Sequence, residues 1–195
     1  GCDVSIHAAT KYIVGHSDAM LGAITCTEAT YGPIRETWGL LGLAVAPDDV
    51  YLATRGVRTM QVRLEQHQKN ALEVATWLQS RPEVVRVLYP ALGNDPGHAI
   101  WKRDFTGASG LFGMILQPAS ETQLAAFFDG LELFGMGSSW GGYESLLIPA
   151  DPGSNRTATE WNPPGPLLRL HIGLENPADL MADIEAGFKR MQATE

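Results

Sequence analysis

LLRLHIGLENPADLMADIEAGFKRM, residues 167–191, is the stretch that decides the fold. Leu168, Leu170 and Ile172 alternate with Arg169 and His171. That period of two predicts a strand over 167–172 with the aliphatics on a core face and the two polar side chains on the other. Asn176, Pro177 and Asp179 follow as a cap, a preset φ and an acidic first turn. A helix is therefore predicted over 177–191, with Ile184, Phe188 and Met191 inward and Lys189 and Arg190 at its negative end.

A similar succession, two strands and then a helix, lies upstream. Residues 84–88 and 111–116 read as apolar strands. Ser120 and Gln123 form a capping box that opens a helix over 121–129, which Gly130 ends. Strands alternating with helices predict an α+β domain over 56–195. Residues 148–166 hold five of the 12 prolines and are predicted to be one long irregular loop.

Residues 1–55 are Gly-rich and poor in helical periodicity, which predicts short buried strands at 4–6 and 19–25 around the turn-forming run Gly15, His16, Ser17, Asp18. Two such strands are not stable in water by themselves and need further chain to pair with. Helical pattern begins at Pro47, Asp48 and Asp49. Val57, Met60, Leu64, His67, Ala71, Val74 and Leu78 continue it as one long amphipathic helix that Pro82 stops, with Glu65 and Lys69 paired on another face. This helix links residues 1–55 to the second domain.

Composition narrows the function. The net charge of −8 and the lack of a Lys/Arg cluster argue against nucleic acid and anionic membranes as partners. Hydrophobic residues at 45% provide a core, and charged residues at 18% fall below the roughly 25% of an average domain, so disorder is excluded. Cys2 and Cys26 have neither CxxC spacing nor a nearby His pair, so neither a disulfide scaffold nor a zinc site is predicted. There is no apolar run of spanning length and no signal-like start, and the expected location is the cytoplasm.

Of four lysines, Lys11 stands apart. Ala8, Ala9 and Thr10 precede it, and no acidic residue lies nearer in sequence than Asp18. It is either an ordinary loop lysine or, if buried, an amine of depressed pKa able to attack a carbonyl, with Thr10 beside it to bind a phosphate. Arg169, rooted on a strand, suits either bidentate carboxylate recognition or an ion pair between layers. His171 reads as an interior histidine or a catalyst. SSWGGYES, residues 138–145, is a glycine turn with an aromatic lid or a ligand-contacting loop. GxGxxG and HExxH are absent.

Taken together, SIHAATKYIVGHSD (5–18), DFTGASGLF (104–112), SSWGGYESL (138–146) and LLRLHIGLE (167–175) resemble the Cys/Met-metabolism family of pyridoxal-phosphate enzymes, in the family's motif order along the whole chain. The resemblance implies the C-terminal part of an α/β enzyme of fold type I, aspartate-aminotransferase-like. Residues 1–55 would end the large cofactor domain, and residues 56–195 would form a C-terminal α+β domain with an antiparallel sheet, helices on one side and a long linking helix.

By the same resemblance, pyridoxal 5'-phosphate is the cofactor, Lys11 its Schiff-base lysine and catalytic base, and Thr10 a phosphate contact. Arg169, Ser139 and the backbone at Trp140 would hold the substrate α-carboxylate. The implied reaction is β-elimination from L-cystathionine to homocysteine, pyruvate and ammonia in methionine biosynthesis. Trp140 favours it, because γ-specific members commonly carry Leu there. γ-Chemistry on a related thioether, or a non-catalytic oligomerisation or binding domain, are the alternatives.

The resemblance also implies a homotetramer and a chain about twice this long. The stacking tyrosine, the aspartate for the pyridine nitrogen and the glycine-containing phosphate clamp would lie upstream, so this part alone is expected to have little activity. Ala8 departs from a common phosphate-binding serine, and Ser138 from a tyrosine.

Overall fold

A computed structural model describes residues 1–194. The chain divides into two compact units, Gly1–Gln61 and Val62–Glu195.

In the first unit, β1 (Val4–Ala8) pairs antiparallel with β2 (Gly22–Cys26), in register from Val4 opposite Cys26 to Ala8 opposite Gly22. No further strand joins this pair among the described residues. The strands predicted as buried are instead open, with Ile6 76% and Ile24 51% exposed. The region read as strands and loops also contains a helix, α1 (Glu28–Leu40), none of whose residues is buried. Gly32, Pro33 and Gly39 hid it, because they dilute the helical period and carry poor intrinsic propensity.

α2 (Pro47–Arg58) starts at the predicted proline. The predicted single helix is two, however, with a break at Thr59 before α3 (Met60–Gln79). Val57, placed in the inward stripe, is 46% exposed, whereas Arg63 and Asn70 are buried. The second half of the stripe holds: His67, Ala71, Val74 and Leu78 are all buried.

The second unit is built on a four-stranded antiparallel sheet of β3 (Val84–Leu88), β4 (Leu111–Leu116), β5 (Leu146–Ala150) and β6 (Leu167–His171), in the order β3-β4-β6-β5. Between β3 and β4 lies the short α4 (His98–Asp104); α5 (Glu121–Phe128) follows β4, and α6 (Pro177–Ala193) follows β6. α4 carries no buried residue and so leaves no apolar signature. β5 corrects the predicted irregular loop, whose first residues 148–150 pair with β6 instead. Pro149 is tolerated there because β5 is an edge strand.

The core forms as the alternation requires. Leu168, Leu170 and Ile172 are fully buried and join the stripes of α3, α5 and α6 in one cluster. At α5 the Ser120 hydroxyl accepts from the Gln123 N–H while the Gln123 side chain accepts from the Ser120 N–H. Asn176 accepts from the Ala178 N–H and caps α6. Arg190 does not serve its own helix end; it donates to the carbonyls of Ala126 and Phe127 and so satisfies the end of α5.

Candidate active site

The loop carrying Lys11 is fixed by its backbone. Beyond β1 the chain coils through turns in which the Lys11 N–H donates to Ala8, the Val14 N–H to Ala9 and the Gly15 N–H to the Lys11 carbonyl. Gly15 has φ +72° and Ser17 φ +59°, so both backbones enter the left-handed region. Gly56 of α2 lies directly against the carbonyls of Ile13 and Val14, where any Cβ would collide with backbone. This contact seats the turn on α2, and the sequence offered only a glycine inside a helical pattern as its signal.

Lys11 and Thr10 are both half-buried. The Thr10 hydroxyl accepts from the Leu21 N–H at 3.1 Å and donates to the Leu21 carbonyl at 3.4 Å. The second bond is long, so its proton is the one a phosphate oxygen could draw away at little cost.

In the second unit, the segment 132–145 is pinned from several sides by groups distant in sequence. The buried Asp183 of α6 accepts the backbone N–H groups of Glu132, Leu133 and Phe134 at 3.0, 2.9 and 3.2 Å. Glu175 accepts the Ser145 N–H at 2.7 Å and its hydroxyl at 2.8 Å, and the same hydroxyl accepts the Gly173 N–H. Between these anchors lie Ser139 and Trp140, both half-buried, so Trp140 is less exposed than its place in a turn suggested.

Arg169 reaches this loop from β6. Its Nη2 donates to the carbonyls of Gly137 and Ser139 at 3.4 and 3.3 Å, and its guanidinium carbon lies 5.4 Å from the Trp140 ring centroid. Among the described residues no carboxylate pairs with Arg169, and its Nε and Nη1 make no hydrogen bond. Of the five sequence-predicted site residues, the structure brings Ser139, Trp140 and Arg169 together in the second unit and sets Thr10 beside Lys11 in the first.

Sequence reasoning missed Gly56, Asp183, Ser145 and Glu175. The last two stood inside quoted motifs, but their partnership spans 30 residues and has no local signature. His171 is an interior histidine, 1% exposed, whose Nε2 lies 3.1 Å from the Gly141 N–H. Burial pushes its pKa down to about 4, outweighing the hydrogen bond to the Gly142 carbonyl that acts the other way. Burial likewise lowers the pKa of His67, whose ring centroid lies 5.1 Å away.

No described group of His, Cys, Asp and Glu could hold a metal ion, and no helix of the described residues is long and apolar enough to cross a membrane. In the first unit a primary amine on a braced turn stands beside a hydroxyl, a pair whose chemistry suits an aldehyde-bearing phosphate ester; in the second, a guanidinium beside an aromatic ring suits a carboxylate.

Comparison with known proteins agrees. The family model described as Cys/Met metabolism PLP-dependent enzyme matches residues 1–189. The chain is 49% identical over 195 residues to the cystathionine beta-lyase of Escherichia coli (strain K12), covering 98% of this chain and 49% of that protein. It is 47% identical over 193 residues to the cystathionine beta-lyase of Salmonella typhimurium, covering 97% and 49%. The crystal structure of cystathionine gamma synthase from Xanthomonas oryzae pv. oryzae in complex with cystathionine superposes with a TM-score of 0.86 at 37% identity, covering all of this chain and 52% of that one. The chain thus spans about half the length of the relatives it matches. With a family model spanning all but its last few residues, the chain belongs to the PLP-dependent enzymes of Cys/Met metabolism.

Proposed function

We propose that this chain is the C-terminal part of a carbon–sulfur lyase that converts L-cystathionine and water to homocysteine, pyruvate and ammonia. The observation that carries the reading is Arg169. It is braced by the Gly137 and Ser139 carbonyls and by Trp140, and it keeps Nε and Nη1 available for a bidentate carboxylate. Identities of 49% and 47% to β-lyases, against 37% to a γ-synthase, favour β-chemistry.

When bound, pyridoxal phosphate would supply an electron sink that lowers the cost of a negative charge at the substrate Cα. The chain's own residues do the rest. Lys11 Nζ would hold the cofactor at its aldehyde carbon and, once exchanged for the substrate amine, take the Cα proton. Thr10 would donate its hydroxyl proton to the phosphate. Arg169 would fix the α-carboxylate and so limit rotation of the substrate about its Cα. Ser139 would add a polar contact to the carboxylate, and the Trp140 indole would exclude water from the guanidinium, strengthening the charge pairing.

On this reading residues 1–55 end the large cofactor domain and residues 56–195 form the C-terminal domain of a cytoplasmic homotetramer. The first unit supports a need for further chain: Ile6, Ile24, Tyr31, Trp38, Leu41 and Val45 line an open apolar cavity of about 860 Å³. The rest of a chain twice this long would cover it. In the complete enzyme, Arg169→Ala should raise KM for cystathionine with a smaller change in kcat, and the keto-acid product should be pyruvate. An unchanged KM, or 2-oxobutyrate as the product, refutes the respective part of the reading.

A further inference from the structure

Two same-face side chains of β6 hold one loop on either side of Trp140. Arg169 takes its N-terminal side, through the carbonyls of Gly137 and Ser139. His171, two residues along the strand, takes its C-terminal side: Nε2 lies 3.1 Å from the Gly141 N–H and 3.2 Å from the Gly142 carbonyl oxygen. Gly141 is buried with φ +85°, so this turn is a conformation a side chain would strain, and it needs a partner to hold it. Either tautomer of His171 provides one: an unprotonated Nε2 accepts from Gly141, a protonated Nε2 donates to Gly142.

The ring is itself held in place. His67 of α3 packs against it, and His67 Nδ1 is bonded at 2.8 Å to the carbonyl of Ile172. Asn70, one turn further along α3, donates to the carbonyls of Gly173 and Glu175, which fixes the chain leaving β6. Sequence reading left this histidine between an interior role and a catalytic one; the geometry gives it a third.

We propose that His171 is a positioning residue for carboxylate recognition: by locking the Gly141–Gly142 turn it sets Ser139 and Trp140 against Arg169, and so keeps the guanidinium aimed at the substrate. The inference rests on the assignment of Arg169 as the carboxylate partner. His171 does not touch the substrate; it acts through the loop.

The test uses the complete, cofactor-loaded enzyme and competitive inhibition by L-alanine and L-alaninamide, which differ only in the carboxylate. His171→Gln places an amide near the position of Nε2, whereas His171→Asn is one methylene shorter and falls short of it. The Gln variant should keep the preference for the carboxylate within about twofold. The Asn variant should lose about tenfold of it, the effect of one net hydrogen bond, with KM raised and kcat nearly unchanged. If the Asn variant does not fold, His171→Met, which fills the space without bonding either backbone group, takes its place with the same expected loss.

Equal preferences in the Gln variant and in Asn or Met overturn the positioning role. Arg169→Leu separates the two claims. If it abolishes the preference while His171→Asn leaves it intact, only the positioning role fails. If Arg169→Leu itself leaves the preference intact, the carboxylate assignment fails and the positioning role with it.

Discussion

The two units carry similar local signals and differ in what those signals are able to bury. In Gly1–Gln61 the buried apolar cluster is Val14, Ala19 and Ala53. Residues as large as Met20 and Leu40 remain 80% and 81% exposed. In Val62–Glu195 one cluster takes in twenty-one buried residues from the sheet and from α3, α5 and α6. Well-paired strands and two helices therefore do not make a stable unit; burial does, at roughly 25 cal/mol for each Å² of apolar surface removed from water. Lys11, the proposed catalytic lysine, sits in the unit that buries little, and Arg169, the proposed carboxylate partner, in the unit with its own core.

The comparison can be broken most decisively by separating the two. A fragment of residues 60–195 should unfold cooperatively and protect the amides of β3, β4 and β6 from hydrogen exchange, while residues 1–61 should show no protected amides. Protection in the shorter fragment would contradict the contrast. Within the second unit, Leu170→Ala should cost about 2–5 kcal/mol in denaturant unfolding, because Leu170 is fully buried. The matching change in the first unit, Ile24→Ala at a residue 51% exposed, should cost under about 0.5 kcal/mol in this chain alone.

Acid should act on the second unit too. Burial holds the His171 pKa at about 4 in the folded chain, below the ordinary 6.5 of a free imidazole, so the unfolded chain binds more protons between those values. Stability is thus fully present above pH 6.5 and is lost as pH falls towards 4, by on the order of 3 kcal/mol from this group. The charged and titratable groups acting on the ring are His67 of α3, Glu144 of the loop and Arg169 of β6, while Arg63 and Glu175 act on His67. Urea unfolding at pH 7 and pH 4.5 should show the loss, and His171→Gln should flatten it. A smaller effect is expected from Asp183→Asn, about 2 kcal/mol, because one amide oxygen replaces a carboxylate that accepts three backbone N–H groups.

What the sequence revealed follows the same division. β3 and β4 were legible to the residue, because an apolar run bounded by turn signals has few other readings. α5 and α6 were legible from chemistry at their starts, the Ser120 box and the Asn176 cap. α1 was hidden because its apolar residues face outward and Gly32, Pro33 and Gly39 interrupt its pattern. The buried front of α3 was misread at Arg63 and Asn70 because both are polar, and the bond of Asn70 to Gly173 crosses more than a hundred residues. Candidate site residues were found by motif, whereas the groups that hold them, Asp183, Glu175 and Gly56, depend on contacts no local pattern encodes.

The central claim is that Lys11 is the amine that holds the cofactor. Borohydride reduction of the cofactor-loaded complete enzyme, followed by peptide mass mapping, tests it directly. The account predicts a pyridoxyl group on the peptide containing Lys11 and none on Lys69, Lys102 or Lys189, the other three lysines of this sequence. A label on any of those three, with Lys11 unmodified, would contradict it.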